Sequence, residues 1–211
     1  MRTLRCGLIS VVSAVMAGCS SAVVVESTFP TPLVEPLPVR VGLIFDDELY
    51  DYIHSEAIPQ RSTWTIDLGD ANIAMLQPLL ESMFMEATMV ESVPLSGANL
   101  GRLDGVVEPV LEKFEFDIPG ERDEFVEVWM QYMITLYQPD GRIVVQWPVS
   151  GYGKYETGGR REDAVERAAI VAMREVGATI STKFAEQPDV GYWLEERSNA
   201  PAPGQNAAVI D

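Results

Sequence analysis

The chain has 211 residues, 47% of them hydrophobic, with 15 Lys and Arg against 32 Asp and Glu and a formal net charge of −17. That charge opposes docking to nucleic-acid phosphates and to anionic lipid head groups, and it favours solubility or a basic or cation-bearing partner. A single histidine excludes any site that needs two imidazoles.

In chain order, Arg2 and Arg5 precede an apolar run from Leu8 to Val15 that is too short to span a bilayer, and it reads as the core of a removable export signal. The run ends in Met16-Ala17-Gly18-Cys19. These four residues resemble the lipobox of bacterial lipoprotein precursors, with Met in place of the usual Leu. The resemblance is confined to the amino-terminal segment. It implies cleavage before Cys19, a thioether-linked diacylglycerol on that cysteine, and acylation of the new amino terminus. Several acyl chains on one residue hold stably where one holds only reversibly, each buried CH2 contributing about 0.8 kcal/mol. Ser20 stands where an Asp would favour retention at the inner membrane of Gram-negative bacteria, so the resemblance places the mature protein on the periplasmic side of the outer membrane. The competing reading is an ordinary secretory signal with a chance cysteine. Loss of residues 1–18 takes the formal charge from −17 to −19. With Cys6 removed and Cys19 acylated, no thiol remains for a disulfide, a zinc cluster or a nucleophile.

Residues 19–37 contain Pro30, Pro32 and Pro36 and predict an extended tether that lets the domain stand off the membrane. One domain is expected over residues 38–196. Residues 38–46 form a buried strand, and Asp46, Asp47 and Glu48 open a short helix, since acids in a first turn offset the helix dipole. Residues 62–68 alternate as a half-buried strand should. Gly69 and Asp70 start an amphipathic helix whose stripe is Ile73, Leu76, Leu80, Met83, Phe84 and Ala87, with Pro78 predicting a kink or a division near Gln77. Strands follow at 88–95 and 103–116, the second with Pro109 at an edge or bulge. Residues 125–137 are apolar on both faces and form a central strand, turned by Pro139-Asp140-Gly141 into an antiparallel return over 142–149. Gly151, Gly153, Gly158 and Gly159 then loosen the chain ahead of a long helix at 162–186. An apolar patch at Val190, Tyr192, Trp193 and Leu194 precedes a disordered tail over 197–211. The expected fold is α+β, a mainly antiparallel sheet with two amphipathic helices packed on one face.

Residues that could carry chemistry are few. His54, beside Glu56, lacks a G-x-S-x-G elbow and reads as an exposed or satisfied histidine. Asp46, Asp47, Glu48 and Asp51 offer hard oxygens, but their spacing lacks the calcium-loop pattern and suits a helix start better. Gly151, Gly153, Gly158 and Gly159 match no phosphate-binding loop. No cofactor and no metal is expected. Trp147, Tyr152 and Tyr155, interleaved with glycine and Lys154, have a composition suited to contact, and Trp193 raises the same question. The element order and the lipobox are loosely similar to small periplasmic lipoproteins of envelope assembly and transport, including the lipopolysaccharide-assembly lipoprotein and relatives with a TolB N-terminal-like domain. That similarity implies a non-enzymatic accessory protein, anchored to the bilayer through Cys19, with an envelope protein as partner and no nucleic acid. The alternative is a periplasmic hydrolase using a carboxylate pair.

Overall fold

The computed structural model describes residues 20–59, 62–99, 101–118 and 125–199. Eight strands and four α-helices follow one another as β1 (Ser20–Val24), β2 (Leu37–Leu43), α1 (Asp47–Tyr50), β3 (Ile53–Ala57), β4 (Thr63–Asp67), α2 (Gly69–Met83), β5 (Phe84–Met89), β6 (Gly105–Asp117), β7 (Phe125–Tyr137), β8 (Ile143–Glu156), α3 (Arg161–Lys183) and α4 (Pro188–Asn199). The fold is α+β. A five-stranded sheet has the order β5-β2-β6-β7-β8, and a separate three-stranded sheet has the order β1-β4-β3. The long ladders β6–β7 and β7–β8 are antiparallel, whereas β2 is parallel to both β5 and the first residues of β6. Gly141, at φ 91°, closes the β7–β8 hairpin and donates its N–H to the Gln138 carbonyl at 2.9 Å.

Alternation along β7 divides the large sheet into two unlike faces. Val126, Val128, Met130, Tyr132, Ile134 and Leu136 are each no more than 1% exposed and form the inner one. Against it pack Leu76, Leu79 and Leu80 of α2, Ala168, Ala172, Val176 and Ile180 of α3, Trp193 of α4, and Ile66 of the small sheet. The small residues of α3 let its backbone approach β8 closely. A Cβ on Gly153 would lie 1.8 Å from the Ala168 carbonyl oxygen, and one on Gly151 would lie 2.2 Å from that of Ala172. The core also holds a buried amide. Asn72 is fully buried, donates Nδ2 to the Leu49 carbonyl at 3.2 Å, and accepts the Tyr132 hydroxyl on Oδ1 at 2.6 Å. Both amide ends are thereby satisfied, as burial requires. Burial drives the Tyr132 pKa upward.

Several local expectations change. The stretch expected to be a tether begins with strand β1, paired along its whole length with β4, and Val23 and Val25 are buried. Burying those two valines outweighs the loosening effect of the prolines downstream. Helix α2 runs through Pro78 as one element and stops at Met83, so Phe84 and Ala87 belong to β5. Gly151 and Gly153 lie inside β8, which extends to Glu156, and serve helix–strand contact rather than flexibility. The patch after Pro188 is helix α4, which includes residues 197–199 of the expected tail. Residues 200–211 lie outside the described residues, as does Cys19.

Candidate functional site

The sequence-predicted contact aromatics do not share a surface, because a strand sends alternate residues to opposite faces. Register places Trp147 opposite Ile134 and Tyr155 opposite Val126, both on the helix-covered face. Trp147 is half-buried against the core, and Tyr155 is 39% exposed near α3, with the Arg167 guanidinium 5.6 Å from its ring centroid. Trp193 is 2% exposed and fills the space over Gly105, so it is a core residue and unavailable to a partner. Only Tyr152, at 44% exposure, projects onto the outer face of the sheet.

That outer face holds the residue the sequence reading passed over. Trp129 stands directly opposite Tyr152 in β8 and Glu115 in β6, half-buried, with Lys113 Nζ 5.9 Å from its ring centroid. One register step along, Lys154 Nζ donates to Glu127 Oε1 at 2.9 Å. The Lys154 ammonium and the Tyr152 hydroxyl both hydrogen-bond the Glu127 carboxylate and hold its pKa below the usual carboxylate range. In the other direction come Gln131 with Ser150, then Met133 with Pro148 and Val110. Loop packing onto this side of the sheet is seen at its far corner, where Ile44, Leu95 and Leu103 cover Val106. Tyr137 sits at that corner and donates to Glu108 Oε2 at 2.6 Å, and burial followed by the neighbouring carboxylate pushes its pKa up to about 12. The result is an open strip of aromatic, aliphatic and paired charged groups on the most regular part of the sheet.

Two features guard the adjoining edge. The backbone N–H of Tyr152 points outward and donates to Glu175 Oε2 on α3 at 2.7 Å. Pro148 shares its parity and has no N–H to offer. Both blunt β8 against pairing with another strand, which leaves the face rather than this edge as the contact surface.

The other candidate residues have local roles. Asp46 is the N-cap of α1, its Oδ1 accepting from the Leu49 N–H at 2.7 Å. His54 lies in β3, its ring 5.1 Å from that of Phe114 and its Nε2 3.4 Å from Glu56 Oε2. Among the described residues, the buried polar ones are Asn72 and Thr135, and every carboxylate is at least partly exposed. No helix among them is long and apolar enough to cross a membrane.

No protein-family model matches the chain, and no curated protein matches it. Among solved structures, it is similar to a protein of the DUF330 family from Xanthomonas campestris, with a TM-score of 0.52 at 10% identity over 85% of this chain and 100% of that one. A candidate lipoprotein from Caulobacter crescentus has a TM-score of 0.32 at 13% identity over 44% of this chain and 68% of that one. A hypothetical protein from Chlamydia trachomatis has a TM-score of 0.37 at 9% identity over 68% of this chain and 96% of that one. The first similarity shows that the fold is shared with the DUF330 protein.

Proposed function

We propose that this chain is a lipid-anchored envelope lipoprotein that works without catalysis, presenting the outer face of β6–β8 to a partner protein. The observation that carries the reading is the Trp129–Tyr152 strip, an aromatic surface on rigid strands with no helix or strand of the described chain packed over it. Aromatic side chains on a preformed surface supply large contact area at small cost in conformational entropy. Among the described residues every carboxylate is at least partly exposed, which favours this reading over the hydrolase, since a general acid needs a desolvated carboxyl to hold its proton near neutral pH. Anchorage through Cys19 rests on Met16-Ala17-Gly18-Cys19, and outer-membrane residence rests on Ser20.

Two measurements test the proposal. Cys19→Ala should abolish palmitate labelling and release the protein from the membrane fraction; unchanged labelling would refute the anchor. Affinity purification of the tagged, acylated protein should return one stoichiometric partner that is lost in Trp129→Ala. Retention of that partner by the variant would refute the face.

A further inference from the structure

Strand β1 begins at Ser20, the residue after the cysteine proposed to carry the lipid, and all five of its residues are in register with β4. Its start is also tied to α3, because Ser21 Oγ donates to Glu162 Oε1 at 3.0 Å and Glu162 is the second residue of that helix. Residues 26–28 then line a cleft shared with Tyr155 and Arg167, and residues 29–32 line a second one shared with Met75 and Met173. The chain is therefore laid along α3 from its first turn towards its middle. Ser20 is thereby held at the amino-terminal end of α3, and one residue of chain, at most about 3.5 Å, joins it to the proposed acylation point.

That end of the molecule carries exposed aromatic rings beside cations. Phe125, which opens β7, is 40% exposed and has Lys154 Nζ 4.5 Å from its ring centroid, while Tyr155 lies under the Arg167 guanidinium. Rings with a polar or cationic neighbour settle at the head-group level of a bilayer, the ring in the apolar boundary and the charge in water. Glu156, Glu162 and Asp163 stand at the same end, so net charge does not draw it to lipid. The short covalent link does. The hairpin turn lies at the opposite end of β7, about 40 Å away at about 3.4 Å per residue.

We infer that the end of the domain bearing Phe125, Tyr155 and the first turn of α3 rests in the head-group layer of the leaflet that holds the Cys19 acyl chains, with the hairpin turn directed away from the bilayer. The inference rests on the proposed acylation of Cys19 and adds an orientation to it. It stands the open face of β6–β8 along the membrane normal, accessible from the side.

The test uses the acylated protein on vesicles of phosphatidylethanolamine and phosphatidylglycerol doped with a nickel-chelating lipid. A nitroxide is placed on Glu156→Cys or on Asp140→Cys, each the sole free thiol once the leader is removed. Flotation with the vesicles reports the anchor, and relaxation of the nitroxide by the lipid-bound nickel reports orientation. The expected result is flotation of both, relaxation at position 156 and none at position 140, with relaxation at 156 lost when about ten Gly and Ser residues, ~35 Å when extended, separate Cys19 from Ser20. Failure to float would overturn the acylation and the inference with it. Flotation with no relaxation at 156, with equal relaxation at both positions, or with relaxation that survives the spacer would overturn the orientation alone.

Discussion

Substituting Gly153→Ala should destabilise the domain far more than adding a methyl group to a surface strand ordinarily does. The new Cβ would stand 1.8 Å from the Ala168 carbonyl oxygen and 2.7 Å from the Ala172 amide nitrogen, where ordinary contact begins at 3.4 Å, so α3 would have to move by as much as 1.6 Å at that point. Both obstacles are backbone, which cannot rotate away. A radial gap of about 0.5–1 Å already forfeits a quarter to a half of each dispersion contact, and α3 presents Ala164, Val165, Ala168, Ala169, Ala172, Met173, Val176 and Ile180 to the core. The usual cost of overpacking, about 1–3 kcal/mol, is thus a lower bound here, and about 3 kcal/mol or more is expected out of a total of roughly 5–15 kcal/mol. Gly158→Ala and Gly159→Ala are the controls, since a Cβ at either meets nothing within 4 Å. They should stay within about 0.5 kcal/mol of the parent protein. Urea unfolding followed by far-UV circular dichroism reads all three. A Gly153→Ala variant as stable as its controls would mean that α3 does not lie on β8 as described.

Trp193→Ala should cost about 3–5 kcal/mol, because the side chain is 2% exposed over Gly105; a change below ~1 kcal/mol in the same urea assay would return Trp193 to the surface. Trp129→Ala and Tyr152→Ala should weaken partner capture while shifting the unfolding midpoint little, whereas a severe loss of stability would make them packing residues. Tyr132→Phe should cost about 1–3 kcal/mol by leaving the buried Asn72 Oδ1 without its donor, and a neutral result would place water or another donor at that oxygen. Alkaline titration should show a linked loss of stability. Burial raises the Tyr132 pKa and the Tyr137 pKa rises to about 12, above the unfolded tyrosine value of about 10, so the stabilisation is full below pH ~10 and is lost as pH climbs through 10 towards 12. A melting temperature that stays flat over that interval would contradict the burial of both hydroxyls.

What could be read in the sequence was what repeats locally. Thirteen residues of alternation in β7 and the alanine-rich helical period of α3 specify their elements without help from neighbours, and both appear with nearly the expected bounds. What could not be read depends on contacts distant in sequence. Strand β1 is short, sits next to prolines, and is held by pairing with β4 and by Glu162. The parallel pairing of β2 with β5 and β6 has no local signature. The end of α2 was obscured because Phe84 and Ala87 fall by chance on its apolar period, with no Gly or Pro to mark the stop at Met83. Gly151 and Gly153 carry the local signal of a loop, and only the approach of α3 explains them. Trp147, Tyr152 and Tyr155 are close along the chain, but proximity in sequence does not set which face of a strand a side chain takes. Once 143–156 is a strand, Trp147 and Tyr155 must face opposite to Tyr152, and Trp129 becomes its neighbour.

The most direct test is site-specific photo-crosslinking in the intact cell envelope, with a photoreactive amino acid placed in turn at Gln131 and Met133 of β7 and Ser150 of β8 on the outer face, and at Glu166, a half-buried residue of α3. A crosslink to one and the same protein is expected from the three outer-face positions, weakened by Tyr152→Ala, and none from position 166. Crosslinks from position 166 alone, or none from the outer face, would contradict it.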